Sequence, residues 1–331
     1  MLKAILAGAF AAAVIAAPAF AEPIVLKFNS PAPPRSYLHA NVFEPWAKAV
    51  EADSGGTLKI QMFYGGTLGA FPVTYDRVID GVADIGFILT PMAGGKLKQQ
   101  DVASLPFETK NSTEAAVALW NLYAKGVTAG EFSQVKPLGI WVFPNAALHT
   151  KEPVAKLEDV KGLKLVASSL ISSRIATSLG ATPVTFGPQD AYQAISRGTT
   201  DGAIMPFTGM LVFKINEVTK HHLDEALGGD SATMFMNKQK YDSLPAQAKA
   251  AIDKNSYLGL SRKLGAATTA EWERCRNVVK SSVTTLPDAE EARWRKVLEP
   301  VAAEWAKATP DGAKVLAAFR AEVAAERAAK K

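Results

Sequence analysis

The chain has 331 residues, 48% hydrophobic and 21% charged, with a mean hydropathy of +0.04. That is enough for about two domains with sizeable cores, and excludes both a disordered chain and a stapled mini-protein. Net charge is +5, but no block of five Lys/Arg and no basic stripe with interleaved aromatics argues for nucleic acid; one cysteine, Cys275, excludes a disulfide, a thiolate zinc cluster and a CxxC redox pair.

Residues 1–21 carry Lys3, then about thirteen apolar residues from Ile5 to Ala17, Pro18, and Ala19-Phe20-Ala21. This is the order of an export signal, too short for the ~20 residues that a bilayer demands. Cleavage after Ala21 would release a chain without further membrane insertion into a bacterial periplasm. Beyond it, Pro23–Asn29 alternates as a strand, and Val42, Trp46, Ala49 and Val50 recur at helical spacing. Leu58–Phe63 reads as a strand, Tyr75–Asp80 as a helix stopped by Gly81, and Ala83–Leu89 as a buried strand. The βαβαβ order predicts a mostly parallel, doubly wound sheet. A second run repeats it: strand Leu138–Phe143, strand Leu163–Ala167, helix Ser172–Leu179, strand Thr182–Thr185, helix Gln189–Arg197 and strand Gly202–Met205. Ser243 is a candidate helix cap before Pro245, and four helices are expected thereafter: Gln247–Thr268, Ala270–Thr284, Ala289–Thr309 and Ala313–Ala329.

Two half-sheets whose strand ends face a crevice make a two-lobed α/β protein, with ligand expected at those ends. Catalytic signatures are missing: H-E-x-x-H, G-x-S-x-G, G-x-G-x-x-G and the P-loop do not occur. His221 and His222 are adjacent, so they point apart and read as a solvated pair rather than a metal site. Cys275, between charged neighbours, reads as a bystander thiol. Asp76, Asp80 and Asp84 read as a helix surface and turn. No catalytic residue, metal or cofactor is expected, and an exported binding protein leads over an enzyme.

Several segments together resemble the solute-binding subunits of tripartite ATP-independent periplasmic (TRAP) transporters, the dicarboxylate-binding type. They are Ser54-Gly55-Gly56-Thr57-Leu58-Lys59-Ile60, Gly66-Thr67-Leu68-Gly69, Gly81-Val82-Ala83-Asp84-Ile85, Leu105-Pro106-Phe107, Lys161-Gly162-Leu163-Lys164, Leu179-Gly180-Ala181-Thr182-Pro183-Val184, Ala191-Tyr192-Gln193-Ala194 and Arg197-Gly198-Thr199-Thr200-Asp201-Gly202. Each is weak alone; their order over the mature chain is specific. The resemblance implies a type II-like clamshell of two mixed sheets flanked by helices, with a long helix spanning the lobes. Lobe I would hold 22–143 plus about 232–271, and lobe II 144–231 plus about 272–331. It also implies capture of a small organic acid between the lobes and delivery to membrane permease subunits.

The chain departs from the family where ligand is held. The arginine that usually follows the Lys-Gly-Leu-Lys strand falls on Val166, the usual asparagine on Met205, a frequently basic position on Pro72 and a stacking phenylalanine on Pro188. Either another base clamps the carboxylate, or the ligand is less charged than a dicarboxylate. Arg35, His149 and Arg174 are the candidate bases. Phe71, Thr90, Asn145, Ser168, Ser169, Phe186, Met205 and Phe207 are the other candidate pocket residues, with Met92 and Phe143 beside them. These favour a monocarboxylate with an apolar or aromatic body. A sensor that docks on a membrane receptor, or a binder of dicarboxylate or sugar acid with a relocated arginine, stays open at this point.

Overall fold

The computed structural model describes residues 22–329; the export segment expected at 1–21 lies outside them. In chain order the strands are β1 (Ile24–Asn29), β2 (Leu58–Phe63), β3 (Ile85–Leu89), β4 (Val135–Phe143), β5 (Ala146–Thr150), β6 (Lys164–Val166), β7 (Thr182–Val184), β8 (Gly202–Pro206), β9 (His221–Leu223), β10 (Asp230–Asn237) and β11 (Val283–Thr284). The helices are α1 (Glu44–Asp53), α2 (Phe71–Ile79), α3 (Ser112–Ala124), α4 (Leu157–Val160), α5 (Leu170–Ser178), α6 (Ala191–Ser196), α7 (Phe207–Val212), α8 (Lys238–Ser243), α9 (Ala246–Lys254), α10 (Tyr257–Val278), α11 (Asp288–Ala308) and α12 (Gly312–Ala329).

Two sheets form, ordered β2-β1-β3-β10-β4 and β11-β9-β5-β8-β6-β7. Both are mixed, as the resemblance implies, and mostly parallel, with one strand in each, β10 and β5, running against the rest. β1 runs parallel to β2 and β3, but β10 is antiparallel to β3 and β4. In the second sheet β5 is antiparallel to β8 and β9. The strands that reverse the direction are those that cross between the sheets. β4 leaves the first sheet at Phe143 and, through Pro144 and Asn145, becomes β5 of the second; β10 brings the chain back after β9. Asp230, where β10 begins, is the register partner of Phe143, where β4 ends.

The first sheet is packed on both faces. One cluster gathers Leu26, Phe28, Phe43, Trp46, Phe87 and Trp141, with Phe87 stacked on Trp141 at 5.2 Å between ring centres. Helix α10 binds the lobes together. Near its start Leu260 and Leu264 lie so close to β4 that a Cβ on Gly139 would come within 2.9 Å of Leu264, so only glycine fits under the helix. Near its end Trp272 meets Phe207 edge-on at 5.7 Å, and Arg276 donates to Asp224. This is the long helix spanning the lobes.

Several boundaries differ from the sequence reading. α10 runs unbroken through Thr268 and Thr269 because the Thr269 hydroxyl bonds back to the Gly265 carbonyl at 3.0 Å and Thr268 accepts from Tyr37 at 2.9 Å. The break falls instead at Asn255-Ser256, before Tyr257 at φ +70°. Ser243 does not cap a following helix; its hydroxyl donates to the Lys240 carbonyl and closes α8, and Pro245 takes the cap position of α9. α12 lies on the first lobe, where its Glu322 accepts from Asn121 at 2.9 Å and its Arg327 pairs with Glu114 at 2.8 Å, whereas the sequence reading puts 272–331 with lobe II.

Candidate functional site

Between the sheets lies a crevice with about 600 Å³ of open space, part of it shared with solvent at the mouth. The first lobe contributes the loop after β1 through Ser36 and Tyr37, the first turn of α2 through Phe71, strand β3 through Phe87 and Leu89, and the crossing pair Phe143 and Asp230. The second lobe contributes Ser168, Pro188 and Met205, and from α7 and just beyond it Thr208, Gly209, Val212 and Phe213. Strand ends therefore face the crevice from both sides, as open α/β sheets dictate.

The walls are apolar and aromatic. Phe87 holds Phe71 edge-on at 5.5 Å and Phe143 at 6.3 Å, so these rings are braced by the sheet behind them. Among the described residues no Lys or Arg lines the crevice. Gly209 opens its floor: a Cβ there would meet nothing nearer than the Met205 sulfur at 3.6 Å. The glycine is thus kept for room rather than for backbone conformation. At the lip the Arg35 guanidinium reaches across from the first lobe and donates to the Val212 carbonyl of the second. Tyr37 spends its hydroxyl proton on Thr268.

Of the residues singled out in the sequence, Phe71, Ser168 and Met205 line the crevice, with Phe143 and Pro188, and Arg35 sits at its lip. The others point elsewhere. Arg174 faces Glu304 on α11 at 3.9 Å. Thr90 is buried beneath, with its hydroxyl shared between Ser231 and Asp101. Asn145 donates weakly to the Lys110 carbonyl in the crossing turn. Ser169 caps α5 by accepting from the Ser172 N–H at 3.0 Å. Phe207 packs in the core of the second lobe and Phe186 against it, and Met92 against that of the first. Val166 is fully buried, so the usual arginine position has become core.

His149 does not face the crevice, and His222 is not solvated. Both are buried, with Nδ1 atoms 2.9 Å apart, and His149 Nε2 lies 3.1 Å from the Met205 carbonyl. A carbonyl only accepts, so His149 carries its proton on Nε2 and receives one from His222 Nδ1. Burial, then each ring's histidine neighbour, holds His149 down at about 3 and His222 at about 4. The pair is neutral and braces the strand that presents Met205. The second-lobe wall is therefore backed by fixed, uncharged rings. Cys275 is buried, its thiol pushed up to about 12 mainly by that burial, and Asp76 and Asp84 serve Lys96 and the Lys27 N–H. No group of three His, Cys, Asp or Glu among the described residues is placed to hold a metal.

Missed by the sequence reading are Tyr37, Phe87, Phe213 and Asp230, whereas Thr208 and Gly209 fall in 205–210, a stretch that the strand-end argument brings to the crevice. Asp230 brings a carboxylate into an otherwise greasy site, and burial pushes it up to about 6.

Comparisons with known proteins fit this geometry. The model of the bacterial extracellular solute-binding proteins, family 7, matches residues 28–308. The C4-dicarboxylate-binding periplasmic protein DctP of Rhodobacter capsulatus is 28% identical over 331 residues, covering 94% of each chain. A TRAP solute-binding protein from a marine metagenome, specific for aromatic acid ligands and crystallised with 3-hydroxybenzoate, superimposes with a TM-score of 0.87 at 27% identity, over 92% of this chain and 99% of its own. One from Rhodoferax ferrireducens with copurified benzoate gives a TM-score of 0.87 at 27% identity, over 93% of this chain and all of its own. Relatives of equal distance thus bind different acids, and the crevice itself has to decide between them.

Proposed function

This chain belongs to the bacterial extracellular solute-binding proteins of family 7, the solute-binding subunits of TRAP transporters, and we propose that it captures a monocarboxylate with an aromatic body. The observation that carries this reading is the crevice wall: Phe71, Phe87, Phe143, Met205 and Phe213 with no lysine or arginine among them. A dicarboxylate needs two positive partners there, because a buried carboxylate without one is expelled. An aromatic body needs only apolar area. Burying about 150–250 Å² of ring surface at roughly 25 cal/mol per Å² contributes about 4–6 kcal/mol. The single acid group lies toward the lip, where Arg35 supplies the charge. Its contact with Val212 is made only when the lobes are together, so ligand and closure favour one another.

The reading extends to the setting. The exported chain, cut after Ala21, works in the periplasm and hands its solute to membrane permease subunits, with no reactive group needed. Thermal unfolding of the purified protein with benzoate, phenylacetate, succinate, malate and glucuronate tests it. Stabilisation by the aromatic acids is expected; stabilisation by succinate or malate alone would refute it.

A further inference from the structure

Asp230 differs from the acids set into the interior elsewhere among the described residues. The Glu114 carboxylate takes a guanidinium from Arg327 at 2.8 Å, Asp101 takes the hydroxyls of Thr90 and Ser231 at 3.2 Å each, and Glu225 takes the Leu286 N–H at 2.8 Å. Asp230 is half-buried in the crevice wall, and no described residue donates to its carboxylate or neutralises it. Asp101 is close enough to feel its charge, which is of the same sign. On the second-lobe side of the same crevice the Thr208 hydroxyl is buried, also without a partner. A solute that fills the crevice strips water from this carboxylate, which is unfavourable unless something else meets it. Within the protein nothing does, so the partner has to arrive with the solute.

Resting on the aromatic-acid reading above, we propose that Asp230 selects the ligand: it accepts a hydrogen bond from a hydroxyl or amino group on the ring. The solute is then a ring-hydroxylated or ring-aminated aromatic acid, with its carboxylate toward Arg35 and its donor toward Asp230. A bare aromatic acid leaves Asp230 desolvated and unpaired. An aromatic acid with an ether in place of the donor sets lone pairs against it. Sites built around a hydrogen bond reject the analogue that lacks it far more strongly than apolar pockets reject a missing methylene.

Calorimetric titration of the purified protein with benzoate, its hydroxy and amino isomers and the matching methoxybenzoates reads this directly. At least one hydroxy or amino isomer is expected to bind tenfold or more tightly than benzoate, and the matching methoxy compound no better than benzoate. In Asp230→Asn the donor-bearing acid loses tenfold or more, while benzoate gains, because a like charge has been removed. A merely structural aspartate would weaken both together. Equal binding of benzoate and all its derivatives by the unaltered protein, or a uniform change in the variant, would overturn the proposal. If no aromatic acid binds, the reading of the function fails instead, and benzyl alcohol against benzyl methyl ether still tests Asp230. No preference for the alcohol would overturn the proposal on that arm too.

Discussion

Gly209 offers a perturbation that separates binding from folding. It is the third residue of α7, and its added Cβ would find ordinary contacts only, 3.6 Å to the Met205 sulfur and 4.0 Å to Phe213. Replacing a helical glycine by leucine therefore carries no steric penalty at the first carbon and recovers about 1 kcal/mol of helix propensity. For a protein of this size that is a rise in Tm of about 2 °C. The rest of the leucine side chain has one place to go, the crevice that Gly209 floors. There it displaces the ring of a ligand, and losing about 4 kcal/mol of apolar burial lowers affinity on the order of a thousandfold. Gly209→Leu should thus unfold at or slightly above the temperature of the unaltered protein when free, and lose the shift that an aromatic acid produces. Gly209→Ala should keep most of the binding. Undiminished affinity in a well-folded Gly209→Leu would refute the placement of the site.

Three more outcomes follow from the surrounding structure. Arg35→Gln should weaken benzoate binding roughly twofold to fivefold, the upper part of the range for an exposed ion pair, and flatten its salt dependence; an equal loss for benzoate and benzamide would show a latch without a charge role. The His149–His222 pair, held at about 3 and 4, binds fewer protons folded than unfolded at pH 4–6.5. Its contribution to stability is therefore intact above about 6.5 and is lost as pH falls toward 4. Ring-nitrogen NMR at pH 5 should find both rings neutral; midpoints near 6.5 would contradict the arrangement. The buried Cys275 thiol, pushed up to about 12, should resist a thiol reagent at pH 8 in the folded protein and react once per chain in denaturant; rapid labelling of folded protein would show that it is accessible.

The elements legible in the sequence are those whose pattern is local. β2 has its predicted bounds because Leu58 and Ile60 alternate with exposed Lys59 and Gln61. The sheet direction is not local. β10 is a nearly continuous buried run, Ser231–Met236, whose lack of period hides whether it is strand or helix, and whose antiparallel pairing joins it to residues far away in the chain. The same is true of α3, buried on most of its surface. In the site, Phe71, Ser168 and Met205 are legible because strand and helix ends point at a crevice. His149 and Phe207 fall in the same stretch, but their side chains turn to the opposite face and pair with His222 and Trp272. Asp230 carries only one signal, a charge abutting an apolar run; that it faces the crevice follows from its pairing with Phe143, which no local pattern reveals.

A crystal structure of the protein with a ring-hydroxylated benzoate addresses the site as a whole. The ring should lie between Phe71, Phe87 and Phe143 on one side and Met205 and Phe213 on the other, its carboxylate toward Arg35 and its hydroxyl on Asp230. A ligand seated away from these rings, or a dicarboxylate held there by a guanidinium drawn from elsewhere, would contradict a grip made by apolar walls.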